Sequence, residues 1–350
     1  MQASAILQHL GFALLLALLS AGTVRLMIAF PILDHPNHRS AHARPTPRGG
    51  GVGVVVAFLA GMAVLYLGAR FARIAEAQFL GVIGAAVAIA LVALADDIRD
   101  LSARLRLLAQ CAAALVAVAS GLVVTRLALP WIGVVDLGLA GPLLTLVWIV
   151  GCTNAVNFMD GLDGLVGGTL LVVSAALAVI AAGQGGWFVY AAALFLAAGF
   201  AGFVPFNLHP ARVFMGDVGS QFAGFVLAVL AVAAARFDGQ QLSFLLVPLL
   251  MFGLLFDAAF TLARRAVMRA RLAEGHRTHL YQLAQRSGMG VRAVAAVHWG
   301  FAAFHALLAS WFLSLPPGAK PLVVLPAVAV QALWLAHVVR RMRRAGIGWR

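Results

Sequence analysis

Long apolar runs dominate this chain of 350 residues. Hydrophobic residues make up 63% of it and charged residues only 11%, whereas a soluble domain carries roughly 25% charged residues. Runs of this length are typical of transmembrane helices. We therefore predict an all-α, polytopic integral membrane protein, with residues 1–350 forming one domain of about eleven transmembrane helices. The predicted helices are 5–30, 50–68, 77–95, 107–125, 141–158, 164–182, 187–206, 218–235, 242–263, 291–313 and 320–339.

The basic residues predict how these helices are oriented. With the C-terminus inside, the cytoplasmic loops and Arg292 together hold 19 of the 25 Lys and Arg residues, and the outer loops hold five. This distribution satisfies the positive-inside rule, so we predict an outside N-terminus and a cytoplasmic C-terminus. The net charge of +13 then reflects topology and contact with membrane lipids, and no nucleic-acid partner is expected.

Four polar clusters interrupt the apolar runs, each at the predicted cytoplasmic end of a helix, so we expect them to converge on one membrane face. Adjacent carboxylates such as Asp96 and Asp97 repel each other unless a cation or a proton neutralises them. A helix end that is salt-bridged by Arg99, Arg104 and Arg106 is the structural alternative. The functional interpretation is a metal and a phosphorylated substrate. The clusters are 96–100, 154–163, 214–217 and 276–279.

The second and third clusters combine amides with carboxylates. Asn154, Asn157, Asp160 and Asp163 recur every third residue, and the glycines that follow predict that the helix ends near Asp160. Buried amides are costly in apolar surroundings without partners. We therefore interpret this cluster as metal ligands or as hydrogen-bond partners of a nucleotide. Asp217 begins the eighth predicted helix, where an ordinary capping role is the alternative to metal binding.

Further residues near these clusters are candidate substrate contacts. Asn207 suits an amide contact, and the Phe214 ring suits stacking on a base. His276 and His279 are three residues apart, which predicts a shared helical face that grips a diphosphate together with Arg277. The glycine-rich turn at 49–51 offers backbone amides to an anion. The candidate substrate-binding residues are Arg44, Arg48, Asn154, Asn207, Phe214, His276, Arg277 and His279.

Taken together, these segments resemble the polyprenyl-phosphate N-acetylhexosamine-1-phosphate transferases, which form glycosyltransferase family 4. The resemblance covers nearly the whole chain, and its motifs occur in the family order. Those motifs are Pro-Thr-Pro-Arg-Gly-Gly at 45–50, Asp-Asp-Ile-Arg-Asp-Leu-Ser-Ala-Arg at 96–104, Asn-Ala-Val-Asn-Phe-Met-Asp-Gly-Leu-Asp-Gly at 154–164, and Phe-Met-Gly-Asp-Val-Gly-Ser at 214–220.

The resemblance implies transfer of a sugar 1-phosphate from a UDP-N-acetylhexosamine to undecaprenyl phosphate, with release of UMP. It implies Mg²⁺ or Mn²⁺ as the cofactor, held by Asp217 and Asn157. It also implies a bacterial inner-membrane location and initiation of a lipid-linked envelope glycan, which we expect to be the O-antigen of lipopolysaccharide. The catalytic carboxylates that it implies are Asp96, Asp97, Asp160 and Asp163.

The last cluster, residues 276–279, and the residues after it depart from the family pattern. Many members carry a His-Ile/Leu-His-His run, whereas here His279 is followed by Leu280, Tyr281 and Gln282.

Two alternative functions stay open. One alternative is a secondary transporter that uses the acids as a cation or proton pathway. Another is a CDP-alcohol phosphatidyltransferase, although the rest of that family's acidic motif is missing. A homodimer is compatible with the sequence, and several amino sugars fit it.

Overall fold

Thirteen α-helices and two short β-hairpins form the described part of the chain. The computed structural model describes residues 3–34, 45–68, 74–129, 132–235, 242–271 and 275–349. The helices of the first half are α1 (Ala3–Ala29), α2 (Gly51–Gly68), α3 (Glu76–Arg99), α4 (Ala103–Ala119), α5 (Ala140–Met159), α6 (Leu165–Gly183) and α7 (Trp187–Asn207). Those of the second half are α8 (Gly216–Ala234), α9 (Leu246–Leu250), α10 (Phe252–Val267), α11 (Leu280–Arg286), α12 (Val291–Ser314) and α13 (Val324–Arg344).

The prediction of an all-α polytopic membrane protein is confirmed. Within the described ranges, nine helices are long and apolar enough to cross a membrane. The other two predicted spans also form helices: α4 has 17 residues, and the run 242–263 is divided at Met251 into α9 and α10. A 3₁₀ helix, Pro317–Val323, precedes α13. The orientation of the termini stays a prediction.

Helix α8 occupies the centre of the bundle. It is buried over 94% of its most apolar stretch, whereas the corresponding value for α1 is 17%. After the first turns, which carry Asp217 and Gln221, α8 is apolar on all sides, as expected for a buried helix. It packs against α3, α5 and α2. At Gly51 and Gly219 the first turns of α2 and α8 meet so closely that a Cβ on either glycine would overlap the other's backbone. Both turns are therefore fixed at the same end of the bundle.

The two hairpins lie outside what the apolar pattern predicts. Strand β1 (Ile32–Asp34) pairs antiparallel with β2 (Thr46–Arg48), and β3 (Arg126–Leu129) pairs with β4 (Gly133–Asp136). Strands of three or four residues are too short to show a recognisable alternation. The chain after β2 also pairs with the start of α8, because Gly50 N–H donates to the Phe214 carbonyl at 2.9 Å. This pairing brings Arg48 beside α3 and α8, whereas Arg44 lies outside the described residues.

Candidate active site

The Asp97 carboxylate caps the N-terminus of α8. Its side chain is 2% exposed and accepts the backbone N–H groups of Asp217 and Val218, each at 3.0 Å. Gly216 makes this approach possible: its φ is +76°, and a Cβ there would lie 2.6 Å from the Asp97 Oδ2 atom. Unpaired N–H groups at a helix N-terminus are a strong partner for a carboxylate. Asp97 therefore fixes the backbone that carries Asp217.

A chain of amides holds the Asp217 side chain. Asn157 Nδ2 donates to Asp217 Oδ1 at 3.0 Å, and Gln221 Nε2 donates to Oδ2 at 2.9 Å. Gln110 donates to Gln221 at 2.9 Å and accepts from Asn154. Sequence reasoning missed Gln110 and Gln221, although a buried amide in an apolar helix was a usable signal. The network joins α4, α5 and α8 around one carboxylate.

Two arginines partly neutralise the acids. Arg106 donates to Asp96 Oδ2 at 3.0 Å and to Asp217 Oδ2 at 3.4 Å. Arg48 lies 4.0 Å from Asp97 and 3.7 Å from Asp100. The salt-bridged helix end that the sequence allowed is thus present, with Arg106 as the bridging residue. It coexists with the convergence of distant acids, because Arg106 joins carboxylates from α3 and α8.

Asp160 and Asp163 lie in the turn between α5 and α6, as the glycine breaks predicted. Asp163 accepts from His209 Nδ1 at 2.6 Å and from Ala211 N–H at 3.1 Å. Asp160 accepts no side-chain hydrogen bond from the residues that the structure describes. Burial, and then the charges of Asp217, Asp97 and Asp163, raise the pKa of Asp160 to about 8. Asp160 is therefore the carboxyl in this centre that lacks a partner.

Asn207 is the last residue of α7, and Phe214 lies on the loop between α7 and α8. The Asn207 side chain, buried at 4% exposure, accepts Gly164 N–H and donates to the Val213 carbonyl, both at 3.0 Å. Its amide thus joins this loop to the acid turn, residues 160–164. Phe214 is partly exposed beside Asp217. The position of Phe214 is compatible with the predicted stacking role, while the Asn207 bonds give that residue a structural task.

The prediction that His276 and His279 share a helical face is wrong. Helix α11 begins only at Leu280, because the Asp257 carboxylate caps its first N–H groups. The two imidazole rings stack instead, with centroids 5.0 Å apart. His279 Nδ1 lies 3.3 Å from Asp257 Oδ1, and burial with the charges of His279 and nearby arginines lowers the pKa of His276 to about 4. Arg277 is partly exposed beside them.

The donor set suits a hard divalent cation. Among the described residues, no three His, Cys, Asp or Glu side chains are already grouped to hold a metal ion. Asp160 nevertheless has an unpartnered carboxylate near Asp217, and Asn157 uses its amide nitrogen for Asp217 and Ser220. Carboxylate and amide oxygens are the ligands that such cations prefer. The residues present therefore fit a cation at this centre.

These elements define a polytopic membrane protein with an acidic centre at one end of its helical bundle. The family model of glycosyl transferase family 4 matches residues 79–235, which contain three of the four polar clusters. The chain is 30% identical over 272 residues to a Bacillus subtilis protein described as a probable undecaprenyl-phosphate N-acetylglucosaminyl 1-phosphate transferase, covering 77% of this chain and 74% of that protein. The chain belongs to glycosyl transferase family 4.

Two further relatives show how far the similarity extends. A decaprenyl-phosphate N-acetylglucosaminephosphotransferase of Mycolicibacterium smegmatis is 31% identical over 366 residues, covering 96% of this chain and 88% of that protein. A phospho-N-acetylmuramoyl-pentapeptide-transferase of Geobacillus kaustophilus is 47% identical over 98 residues, covering 28% of this chain and 30% of that protein. The similarity to the first extends over nearly the whole chain, whereas that to the second is local.

Proposed function

We propose that this protein transfers N-acetylhexosamine 1-phosphate from a UDP-sugar to undecaprenyl phosphate at the cytoplasmic membrane face and releases UMP. The observation that carries the proposal is the convergence of Asp97, Asn157, Asp160 and Asp217, which come from three helices and one turn. Relatives that cover most of the chain are named as transferases of N-acetylglucosamine phosphate to polyprenyl phosphates. This membership does not favour the transporter alternative.

The surroundings of the centre suit both substrates. Arg106 lies at the start of α4, and Leu107 and Leu108 beside it are exposed apolar side chains. A lipid phosphate at headgroup depth would meet Arg106 while its prenyl chain follows an apolar helix face. Arg277 would bind the diphosphate of the UDP-sugar, and Phe214 would stack on uracil. These assignments use side chains that are at least partly exposed.

Mg²⁺ or Mn²⁺ is the proposed cofactor, with Asp217, Asn157 and Asp160 as the residues that would hold it. When bound, such an ion neutralises diphosphate charge and favours departure of UMP. The unpartnered Asp160 carboxylate supports this assignment, since an acid with so high a pKa is stabilised in its charged form by a nearby cation.

The protein residues position and deprotonate the acceptor in the proposed mechanism. Asp97 holds the start of α8 and thereby Asp217. Asp96, which shares the Arg106 guanidinium with Asp217, accepts the remaining proton of undecaprenyl phosphate. The freed phosphate oxygen attacks the sugar-bearing phosphorus, and the bond from that phosphorus to the UMP oxygen breaks. Arg277 would stabilise the developing charge, whereas the buried His279 imidazole is engaged by Asp257.

We assign the product to the start of a lipid-linked envelope glycan in a bacterial inner membrane, with O-antigen lipopolysaccharide as the proposed pathway. The His-Arg-Thr-His-Leu-Tyr-Gln segment at 276–282 supports this assignment through its resemblance to that branch of the family. Because several amino sugars share the diphosphate and uracil, sugar choice depends on contacts with the acetamido group and with C4 and C6.

The test is formation of a radiolabelled lipid product by purified protein. We would supply undecaprenyl phosphate with UDP-GlcNAc, UDP-GalNAc, UDP-QuiNAc or UDP-FucNAc in turn, with and without Mg²⁺. We expect a lipid-linked sugar phosphate and equimolar UMP from at least one donor. Asp217→Ala should abolish both, and Asp136→Ala, at the opposite end of α5, should not. Uptake of an intact donor into proteoliposomes without UMP release would contradict the proposal and favour a transporter.

A further inference from the structure

Tyr281 lies between α11 and the acid turn, residues 160–164. It is fully buried, at 0% exposure, although a phenol usually keeps one end near water. Its hydroxyl donates to the Phe158 carbonyl at 3.3 Å, in the last turn of α5. Burial and the nearby Asp257 and Asp160 carboxylates raise the pKa of Tyr281, so the phenol keeps its proton and can always donate.

Asp257 fixes the helix from which Tyr281 projects. Its carboxylate is 1% exposed and accepts Leu280 N–H at 2.9 Å and Tyr281 N–H at 3.0 Å. The Thr261 hydroxyl adds a third bond at 3.1 Å. Charge-assisted hydrogen bonds of this kind are about twice as strong as neutral ones. The backbone of Tyr281 is thereby joined to α10.

Gly161 shows how closely the phenol fits the acid turn. A Cβ at this position would overlap the Tyr281 hydroxyl oxygen, whereas the ring carbon that bears the hydroxyl would lie 3.4 Å away, at ordinary contact distance. One oxygen atom therefore decides whether the turn accepts an alanine. Gly161 directly follows Asp160, so any shift at this contact moves the unpartnered carboxylate.

We infer that Tyr281 is a positioning residue: its hydroxyl and ring set the place of the acid turn and hence of the Asp160 carboxylate, while Asp257 holds Tyr281 in place. The inference rests on the proposed function for its catalytic consequence. It assigns a task to two residues, Asp257 and Tyr281, that the convergence of the acids does not require.

The first test is a compensation experiment on kcat. Because small displacements of reacting groups cost up to about a hundredfold in rate, we expect Gly161→Ala to lower kcat roughly thirtyfold and Tyr281→Phe roughly threefold. The double variant should return to the Tyr281→Phe level, since removing the hydroxyl makes room for the new methyl group. Such strong non-additivity is the signature of direct contact.

A second glycine provides the matched control. A Cβ at Gly168, on α6, would overlap the indole of Trp299, which supplies all three of its nearest atoms. Tyr281→Phe should therefore leave Gly168→Ala as impaired as before. Rescue of both glycine variants, or of neither, would overturn the inference. Recovery of the thermal midpoint in the Gly161 double variant without recovery of kcat would also overturn it, because Tyr281 would then be only a packing residue.

An activity-independent measurement separates this inference from the proposed function. In a Cys111→Ser background, where the remaining Cys152 is buried, thiol reagents report on Asp160→Cys. We expect Gly161→Ala to change the labelling rate at least fivefold and Tyr281→Phe to restore it. If wild-type protein formed no lipid-linked product, the proposed function would be rejected. The labelling rates would still test whether Tyr281 positions the acid turn. Unchanged rates in all variants would reject that role.

Discussion

Two buried aspartates perform the same local task in different surroundings. Asp97, on α3, accepts two backbone N–H groups at the start of α8, and Asp257, on α10, accepts two at the start of α11. Each is nearly inaccessible, at 2% and 1% exposure. In both places the carboxylate supplies hydrogen-bond acceptors for backbone N–H groups that have no partner within the first turn of the helix.

The difference lies in the charges around each carboxylate. Asp97 is close to other acids, Asp217 and Asp160, and its cationic neighbour Arg48 is 4.0 Å away. Asp257 has the His279 imidazole at 3.3 Å and the Thr261 hydroxyl. The first site therefore keeps an excess of negative charge that an added cation can balance, and the second is largely satisfied within the protein. The same capping arrangement thus occurs in the proposed reaction centre and in a structural support.

The largest expected effect concerns catalytic rate. Asp97→Asn should lower kcat by about 10²–10³, because it disturbs the backbone of Asp217 and removes one charge from the centre. Asp257→Asn should lower it by only about tenfold, because it acts at a distance through Tyr281. The measurement is formation of the lipid-linked product by purified variants. Equal losses would remove the distinction between the two sites.

The effects of the two substitutions on the free energy of unfolding should have the opposite order. Asp257→Asn should cost about 3 kcal/mol, because an amide cannot accept both N–H groups and His279 loses its partner. Asp97→Asn should cost less, since losing one charge also relieves repulsion by Asp217 and Asp160. Denaturant unfolding in detergent, at fixed pH and without divalent cations, gives both values. A larger cost for Asp97→Asn would show that the excess charge is already neutralised.

Asp160 predicts a pH dependence that follows from its raised pKa. The folded value is about 8 and the ordinary value 3.8, so between these limits the unfolded chain loses a proton that the fold retains. This carboxyl therefore destabilises the protein increasingly as pH rises from 4 to 8.

Asp160→Asn should thus raise the thermal midpoint at pH 8 by at least about 3 °C and hardly change it near pH 4. Scans would be made with a chelator and repeated with Mg²⁺, which should abolish the gain if Asp160 binds the ion. Asp136→Asn, on an exposed hairpin, is the control. A gain that is independent of pH would contradict the raised pKa.

The sequence predicted what depends on local pattern. The apolar runs predict the helices. The turn at Asp160 follows from Gly161 and Gly164, which lie within the five residues after α5 ends at Met159. For Asp97 and Asp217, the sequence predicts only that both residues lie at the same membrane face. That Asp97 binds backbone N–H groups, rather than a side chain, depends on the left-handed Gly216 and on the close approach of α2 to α8.

Asp257 and Tyr281 show why the rest was out of reach. Asp257 is a single acid in an apolar run, and nothing in its neighbourhood along the chain indicates a partner 23 residues away. The sequence marks Tyr281 only as a departure from the His-Ile/Leu-His-His run that the resemblance implies. Its fit against Gly161 arises from tertiary packing, which periodicity does not encode.

The smallest predicted effect tests how much the Thr261 hydroxyl contributes to the hydrogen bonding of the Asp257 carboxylate. Thr261→Val keeps the side-chain shape and removes one of the hydrogen bonds to Asp257, so it should cost about 1 kcal/mol and leave kcat within about twofold. Ser174→Ala is the matched control, because the Ser174 hydroxyl is buried on α6 without a partner among the described residues. That change should cost nothing, since it removes an unsatisfied polar group. Equal unfolding free energies for the two variants would mean that Asp257 is held by backbone N–H groups alone, and the contrast with Asp97 would then rest on His279.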